Sequence, residues 1–171
     1  KKAGHCGTLD PLACGLMLVL TGKATKLQDK FTKQNKVYLA QIQFGLQTDS
    51  GDLAGKIIAR SDFSQLTFEK LKDICNSFTG EIEQIPPMYS ALKIKGRKLY
   101  ELARKGITVE RQKRKITIYS IDLLSFAADT AQIRVKCSSG TYIRTLAEDI
   151  GSKAGTHAVL SGLIREEIGD F

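Results

Sequence analysis

Strand-like and helix-like segments follow one another along these 171 residues without regular β-α-β alternation. That order limits the fold more than any single residue does, because a parallel sheet needs a crossover, usually a helix, between its strands. The expected class is α+β, with a mixed, mainly antiparallel central sheet flanked by helices. Residues 36–45 read as a strand in which Val37, Leu39 and Gln41 alternate with Tyr38, Ala40, Ile42 and Phe44. Both faces are largely apolar, as in the interior of a sheet. Residues 47–52 are a polar loop and 56–59 a returning strand. Residues 116–126 and 130–137 read as a hairpin-like pair, with Ile133, Val135 and Cys137 on one face.

The helical signals are of a different kind. Thr67 is placed as an N-cap before Phe68, Leu71, Ile74 and Phe78, with Gly80 as the stop. Residues 98–105 form a short helix ending at Gly106, and 141–153 a last one with Ile143, Leu146, Ala147 and Ile150 as its apolar stripe. Near the N-terminus, Pro11 suits a first helical turn behind Asp10. Leu12, Leu16, Val19 and Leu20 continue at helical spacing, although Gly15 and Gly22 weaken a single long helix. Residues 25–31 read as a separate helical piece. Between the amphipathic helix at 68–78 and the basic stretch, Pro86-Pro87 enforces an extended loop.

With 42% hydrophobic and 26% charged residues, the composition is that of a folded protein. The longest apolar run, residues 16–20, is far short of the ~18 to 20 residues a membrane-spanning helix needs. The chain opens at Lys1-Lys2 with neither a signal-peptide pattern nor an initiator Met, which suits a piece of a longer protein. Cys6, Cys14, Cys75 and Cys137 lie far apart without a C-x-x-C pair, and His5 and His157 are the only histidines. No zinc spacing results, and four free thiols in a reducing cytoplasm are expected. Cys75 falls among apolar helical neighbours as core packing. Cys6 with His5 as its base is the weaker alternative, since adjacent residues seldom form such a pair.

Charge is uneven within the net +8. Residues 1–36 hold seven Lys/Arg against two acids, and residues 93–115 ten against two, while the remaining segments are slightly acidic. Two basic segments on an acidic body suit a polyanionic partner, because Lys and Arg displace the counterions condensed on phosphates. The plainer alternative is a solvated, solubilising surface.

Residues 4–15, Gly4-His5-Cys6-Gly7-Thr8-Leu9-Asp10-Pro11-Leu12-Ala13-Cys14-Gly15, gather glycines, a histidine and one acid. Spacing alone favours Asp10 as a helix N-cap. The stretch also resembles the signature G-H-x-G-x-L-D-P-x-A-x-G of the TruB family of tRNA pseudouridine synthases. The similarity continues in order along the chain. Lys36-Val37-Tyr38 is similar to K-x-Y, and residues 45–52 to G-x-x-T-D-T-x-D. Residues 84–93 and 96–100 resemble Q-x-P-P-x-Y-S-A-x-K and G-x-x-x-Y. Residues 137–144 resemble C-S-x-G-T-Y-I-R, and 158–171 the ending A-x-L-S-x-L-x-R-x-x-x-G-x-F.

The resemblance implies the pseudouridine synthase catalytic fold over residues 1–171, with the family's N-terminal strand and PUA-like C-terminal domain outside them. It implies an isomerase that converts uridine 55 in the T-arm loop of tRNA to pseudouridine in the cytoplasm, as a monomer, without metal or organic cofactor. Asp10 would be the nucleophile, acting at C6, at C1′ or on a ribose proton, with Arg144 as its ionic partner. Tyr38, otherwise a half-buried strand aromatic, would stack on the base and help remove the C5 proton. Tyr142 and Leu163 would line the pocket, and His5 would fill the vacated base stack. Lys26, Lys93 and Arg97 stand for the phosphate contacts of the two basic segments. Cys6 replaces the usual Thr or Ser, and Ile164 a basic residue. Two other readings are the guide-RNA-dependent branch of the family, and an RNA-folding protein whose catalysis is dispensable.

Overall fold

The computed structural model describes residues 2–90, 92–94 and 96–171; Lys95 and the side chain of Lys93 lie outside what is described. The chain forms β1 (Ala3–His5), β2 (Ala13–Gly15), β3 (Val19–Thr21), a 3-10 helix (Gly22–Leu27), α1 (Gln28–Thr32), β4 (Lys36–Phe44), β5 (Leu46–Thr48) and β6 (Ile57–Arg60). There follow α2 (Phe68–Asn76), β7 (Gly80–Gln84), β8 (Lys93–Ile94), β9 (Arg97–Lys98), α3 (Leu99–Ala103), β10 (Arg114–Ala127), β11 (Thr130–Cys137), α4 (Ile143–Lys153) and β12 (Ala158–Ile168).

A six-stranded sheet ordered β2-β12-β4-β11-β10-β7 organises the molecule. Every neighbour in it is antiparallel except β12 with β2, so the sheet is mixed and mainly antiparallel as expected. The apolar run in β4 sits between β11 and β12 at the centre of the sheet; Ala40, Ile42 and Phe44 are buried on one face, while on the other Leu39 and Gln43 are half-buried and Gln41 is exposed. Ile42, Phe44, Ile118, Ile133, Val135 and Leu160 are all within 2% of full burial, together with Leu146 and Ile150 of α4 and Leu71 of α2. Thr67 caps α2 by accepting a hydrogen bond from the Lys70 N–H at 3.2 Å. A cap of this kind contributes ~1 kcal/mol.

The expected helix over residues 12–20 does not form. β1 pairs with β3 and β2 runs parallel to β12, with Ala13 opposite Leu163 and Gly15 opposite Arg165. Tertiary pairing overrides the helical spacing because Gly15 has φ +105° and its α-carbon lies against the Arg165 backbone. Asp10 is therefore a loop residue, not a helix N-cap. β7 and β12 were not legible as strands. β12 is a central strand whose register shifts twice, at Leu160/Gly162 and at Arg165/Glu167. Its buried residues consequently fall at 158, 160, 163, 165 and 168, in addition to Val159, and not at strict alternation.

Gly15 provides a test of this close packing. A Cβ there would meet the Arg165 backbone nitrogen at 2.8 Å, whereas at Gly22, also at positive φ, it would meet nothing within 4 Å. Gly15→Ala is expected to cost at least ~2 kcal/mol by denaturant unfolding, and Gly22→Ala only ~1 kcal/mol. Equal losses would show that backbone conformation, and not the approach of β12, sets the requirement for glycine.

Candidate active site

The β1–β2 loop, the β5–β6 turn, the Pro86-Pro87 loop, β4 and the start of α4 converge on one cavity of about 870 Å³. Arg144, in the first turn of α4 and 4% exposed, joins them. Its Nε donates to Asp10 Oδ2 at 2.8 Å, Nη1 to the Ser50 carbonyl at 3.1 Å, and Nη2 to the Tyr89 carbonyl at 2.6 Å. Asp52 Oδ2 stands 3.7 Å from Nη1. Asp52 is itself held, accepting from the Ser50 hydroxyl and the Ala54 N–H through Oδ1. Asp10 remains one-third exposed on the cavity wall, and among the described residues its Oδ1 accepts no side-chain hydrogen bond.

Tyr38 and Tyr142 also line the cavity. Burial pushes the Tyr38 phenol above its ordinary value, against the opposing influence of neighbouring Arg165. The phenol is neutral at physiological pH and offers an aromatic face with a polar tip. Tyr142 precedes α4, and its peptide is clamped on both sides by buried Gln84, whose Oε1 accepts from its N–H at 2.9 Å and whose Nε2 donates to its carbonyl at 3.1 Å.

Other expected residues lie elsewhere. Leu163 is in the hydrophobic core next to the site, 8% exposed, and is not among the cavity-lining residues. His5 is exposed on β1 outside the cavity, and its carbonyl accepts from Gln28. Lys26 and Arg97 are exposed on the 3-10 helix and β9. Cys6 is fully buried while His5 faces solvent, so they do not form a nucleophile–base pair. Burial raises the Cys75 and Cys137 thiols to about 11, leaving them protonated and inert. Lys36, Gln84 and Arg165 fall on the K-x-Y, Q-x-P-P and L-x-R positions of the family motifs, but a place in or behind the site was not read from them; Gln84 and Arg165 meet their partners only through contacts distant in sequence.

Within the basic stretch, Lys115 of β10 pairs with Glu81 of β7, and Lys113, just before β10, with Glu83 of β7. The cations at the cavity are instead Lys36, Lys56, Arg104, Arg144 and Arg165. Arg104 and Lys98 each stand 5.4 Å from the centre of the Tyr100 ring, which also lines the cavity. Among the described residues no group of three or more His, Cys, Asp or Glu side chains is arranged to hold a metal ion. No helix among them is long and apolar enough to cross a membrane.

Glu148, one turn after Arg144, packs against Gly51 of the same turn, and its carboxyl is raised to about 6, chiefly by burial and then by Asp149. The folded chain thus holds this proton more tightly than the unfolded chain does, so stability falls as pH rises from about 4.5 to about 6. Glu148→Gln should therefore raise stability at pH 7.5 by ~1 kcal/mol after allowing for solvent screening, with the gain vanishing at pH 4. Urea unfolding at both pH values measures this, and a difference independent of pH would place the carboxyl in solvent.

The model of the TruB family pseudouridylate synthase N-terminal domain matches residues 1–143. The chain is 55% identical over 171 residues to tRNA pseudouridine synthase B of Endomicrobium trichonymphae, covering all of this chain and 74% of that protein. It is 53% identical to the protein of the same name from Bordetella pertussis, over 99% of this chain and 70% of that one. Among solved structures, a chain in the crystal structure of a Cbf5-Nop10-Gar1 complex matches with a TM-score of 0.74 at 29% identity, over 99% of this chain and 41% of that one. Sequence and fold agree over nearly every residue, and the chain belongs to the TruB family of pseudouridylate synthases.

Proposed function

We propose that the chain isomerises uridine 55 in the T-arm loop of tRNA to pseudouridine, with Asp10 as the nucleophile. The observation that carries this reading is the 2.8 Å pair between Asp10 and buried Arg144 at the wall of a cavity that also presents Tyr38 and Tyr142. The curated relatives named tRNA pseudouridine synthase B support tRNA as the substrate. The reaction breaks the N1–C1′ bond, forms C5–C1′, removes the C5 proton and leaves a proton on N1. Atoms and electrons balance without a redox partner.

One carboxylate oxygen suffices for the attack, and the arrangement divides the two. Oδ2 is taken by the guanidinium and aims the group, while Oδ1 is left for the substrate. Arg144 cannot turn away, because its other nitrogens are held by two carbonyls. Reaching the base requires its extrusion from the RNA stack, at a cost of a few kcal/mol. The Tyr38 ring offers replacement stacking, and its neutral phenol makes the aromatic face its larger contribution. His5, exposed on β1 outside the cavity, is available to fill the vacated stack. Lys26 and Arg97 are exposed for phosphate contact, and Arg104 with Tyr100 supplies a cation and an aromatic surface at the cavity itself. This reading places the chain in the cytoplasm as a monomeric tRNA enzyme.

Release of tritium from C5-labelled uridine in unmodified tRNA measures the reaction directly. Asp10→Asn should lower turnover by at least ~10³-fold while tRNA affinity stays within a few-fold. Turnover equal to that of the unsubstituted chain would refute the nucleophile assignment and favour an RNA-folding role. Neutralising Arg97 and Arg104 together should weaken tRNA binding and reduce the slope of log affinity against log salt by ~1 to 2. An unchanged slope would make that segment a solubilising surface.

A further inference from the structure

Two cations on the cavity wall lack the counter-charge that buried cations ordinarily require. Lys36 is 6% exposed and Arg165 2% exposed, and both line the cavity. Among the described residues neither has a carboxylate within 4 Å, whereas Arg144 has two. Lys36 Nζ donates to the carbonyls of Thr32 and Gln34, both at 2.6 Å, which leaves one of its three protons without a partner. Arg165 donates from Nε to the Leu16 carbonyl at 2.8 Å and from Nη2 to the Gly7 carbonyl at 3.1 Å, and its guanidinium also reaches the Tyr38 phenol. Neutral carbonyls satisfy hydrogen bonds but do not cancel charge. Burial and the proximity of Arg165 push the Lys36 ammonium below its ordinary value, consistent with two uncompensated positive charges side by side.

Their placement is set by the sheet. Lys36 and Tyr38 lie on one face of β4 at i and i+2, a separation of ~7 Å, and Arg165 of β12 is directly opposite Tyr38. The acidic wall, Asp10 with Asp52, belongs to other segments of the same cavity. A ligand with an anionic end and a neutral, flat end would be oriented by these charges, its anion at Lys36 and Arg165 and its ring at Tyr38. A nucleotide has this character.

We propose that Lys36 and Arg165 form a phosphate subsite inside the cavity, which takes a phosphodiester of the extruded nucleotide while its base lies at Tyr38. This deepens, and rests on, the reading of the chain as an RNA-modifying enzyme. It separates Lys36 from the exposed lysines Lys23, Lys26, Lys30 and Lys33 of the same basic segment, which can meet phosphates only outside the cavity.

The test is a cycle between protein and RNA. T-arm RNAs carrying a neutral methylphosphonate at the linkage 5′ or 3′ to the target uridine are compared with unmodified RNA, on the unsubstituted chain, on Lys36→Met and on Lys36→Arg. One of the two neutral linkages should weaken binding to the unsubstituted chain about tenfold and have little further effect on Lys36→Met. Lys36→Met should also lose ~0.7 to 0.9 from the salt slope, and Lys36→Arg should recover most of it. Independent losses from the linkage and from Lys36→Met would overturn the subsite and leave Lys36 as a cap on the carbonyls that follow α1. Should Lys36→Met fail to fold, an unsubstituted chain indifferent to both neutral linkages overturns the subsite by itself. Failure of the unsubstituted chain to release tritium from the unmodified arm would instead defeat the underlying functional reading.

Discussion

The Arg144 guanidinium is the point on which both fold and site depend. It is buried, and a buried charge is tolerated only when its coulombic and hydrogen-bonding needs are met locally. Here they are met by Asp10 from the β1–β2 loop, Ser50 and Asp52 from the β5–β6 turn, and Tyr89 from the Pro86-Pro87 loop. Three irregular segments with few apolar contacts of their own are thereby tied to α4, whose Ile143, Leu146, Ala147 and Ile150 anchor it in the core. The same side chain that closes the structure aims the one exposed carboxylate of the cluster. Removing it would leave Asp52, 7% exposed, without its cation, so stability and activity are coupled at this position.

Around this centre the charges are separated, not mixed. Asp10 and Asp52 gather at Arg144, while Lys36 and Arg165 lie together on the sheet without a carboxylate. Tyr38 lies beside the cationic pair. Inside a cavity coulombic interactions are screened less than at the surface, so both clusters act on the groups between the walls. Tyr38 lies within the influence of both, Asp10 favouring the neutral phenol and Arg165 the ionised one.

Much of the regular structure was legible from periodicity. β4, the β10–β11 hairpin, α2 with its Thr67 cap and α4 lie where alternation or helical spacing puts them, because each buries a single continuous face. The N-terminal region was misread as a helix because Leu12 and Leu16 are loop residues flanking β2, while Val19 and Leu20 belong to β3, and their spacing matches a helix only by chance. Of the site, Asp10, Tyr38, Arg144 and Tyr142 were visible through family motifs, and the structure brings these four to one cavity. Leu163 and His5 were named by the same motifs but lie in the core and on the exposed surface outside the cavity. Arg165 and Gln84 also stand in those motifs, but they act through partners 149 and 58 residues away, and a motif marks the residue without telling what it holds.

β12 shows why the unread part of the sequence and the functional part coincide. A strand with unbroken alternation from Ala158 would keep one set of side chains on the core face throughout. Its two register shifts instead move the buried set from Leu160 to Leu163 and Arg165, and again to Ile168. The first shift brings Arg165 opposite Tyr38, under the loop that carries Asp10, where its Nε and Nη2 hold the Leu16 and Gly7 carbonyls. Without it, residue 165 would point to the other face of the sheet, and the loop would lose both bonds. The irregularity that hides the strand from a period-two reading is therefore what delivers a cation to the cavity, consistent with bulges that re-aim side chains beside functional sites.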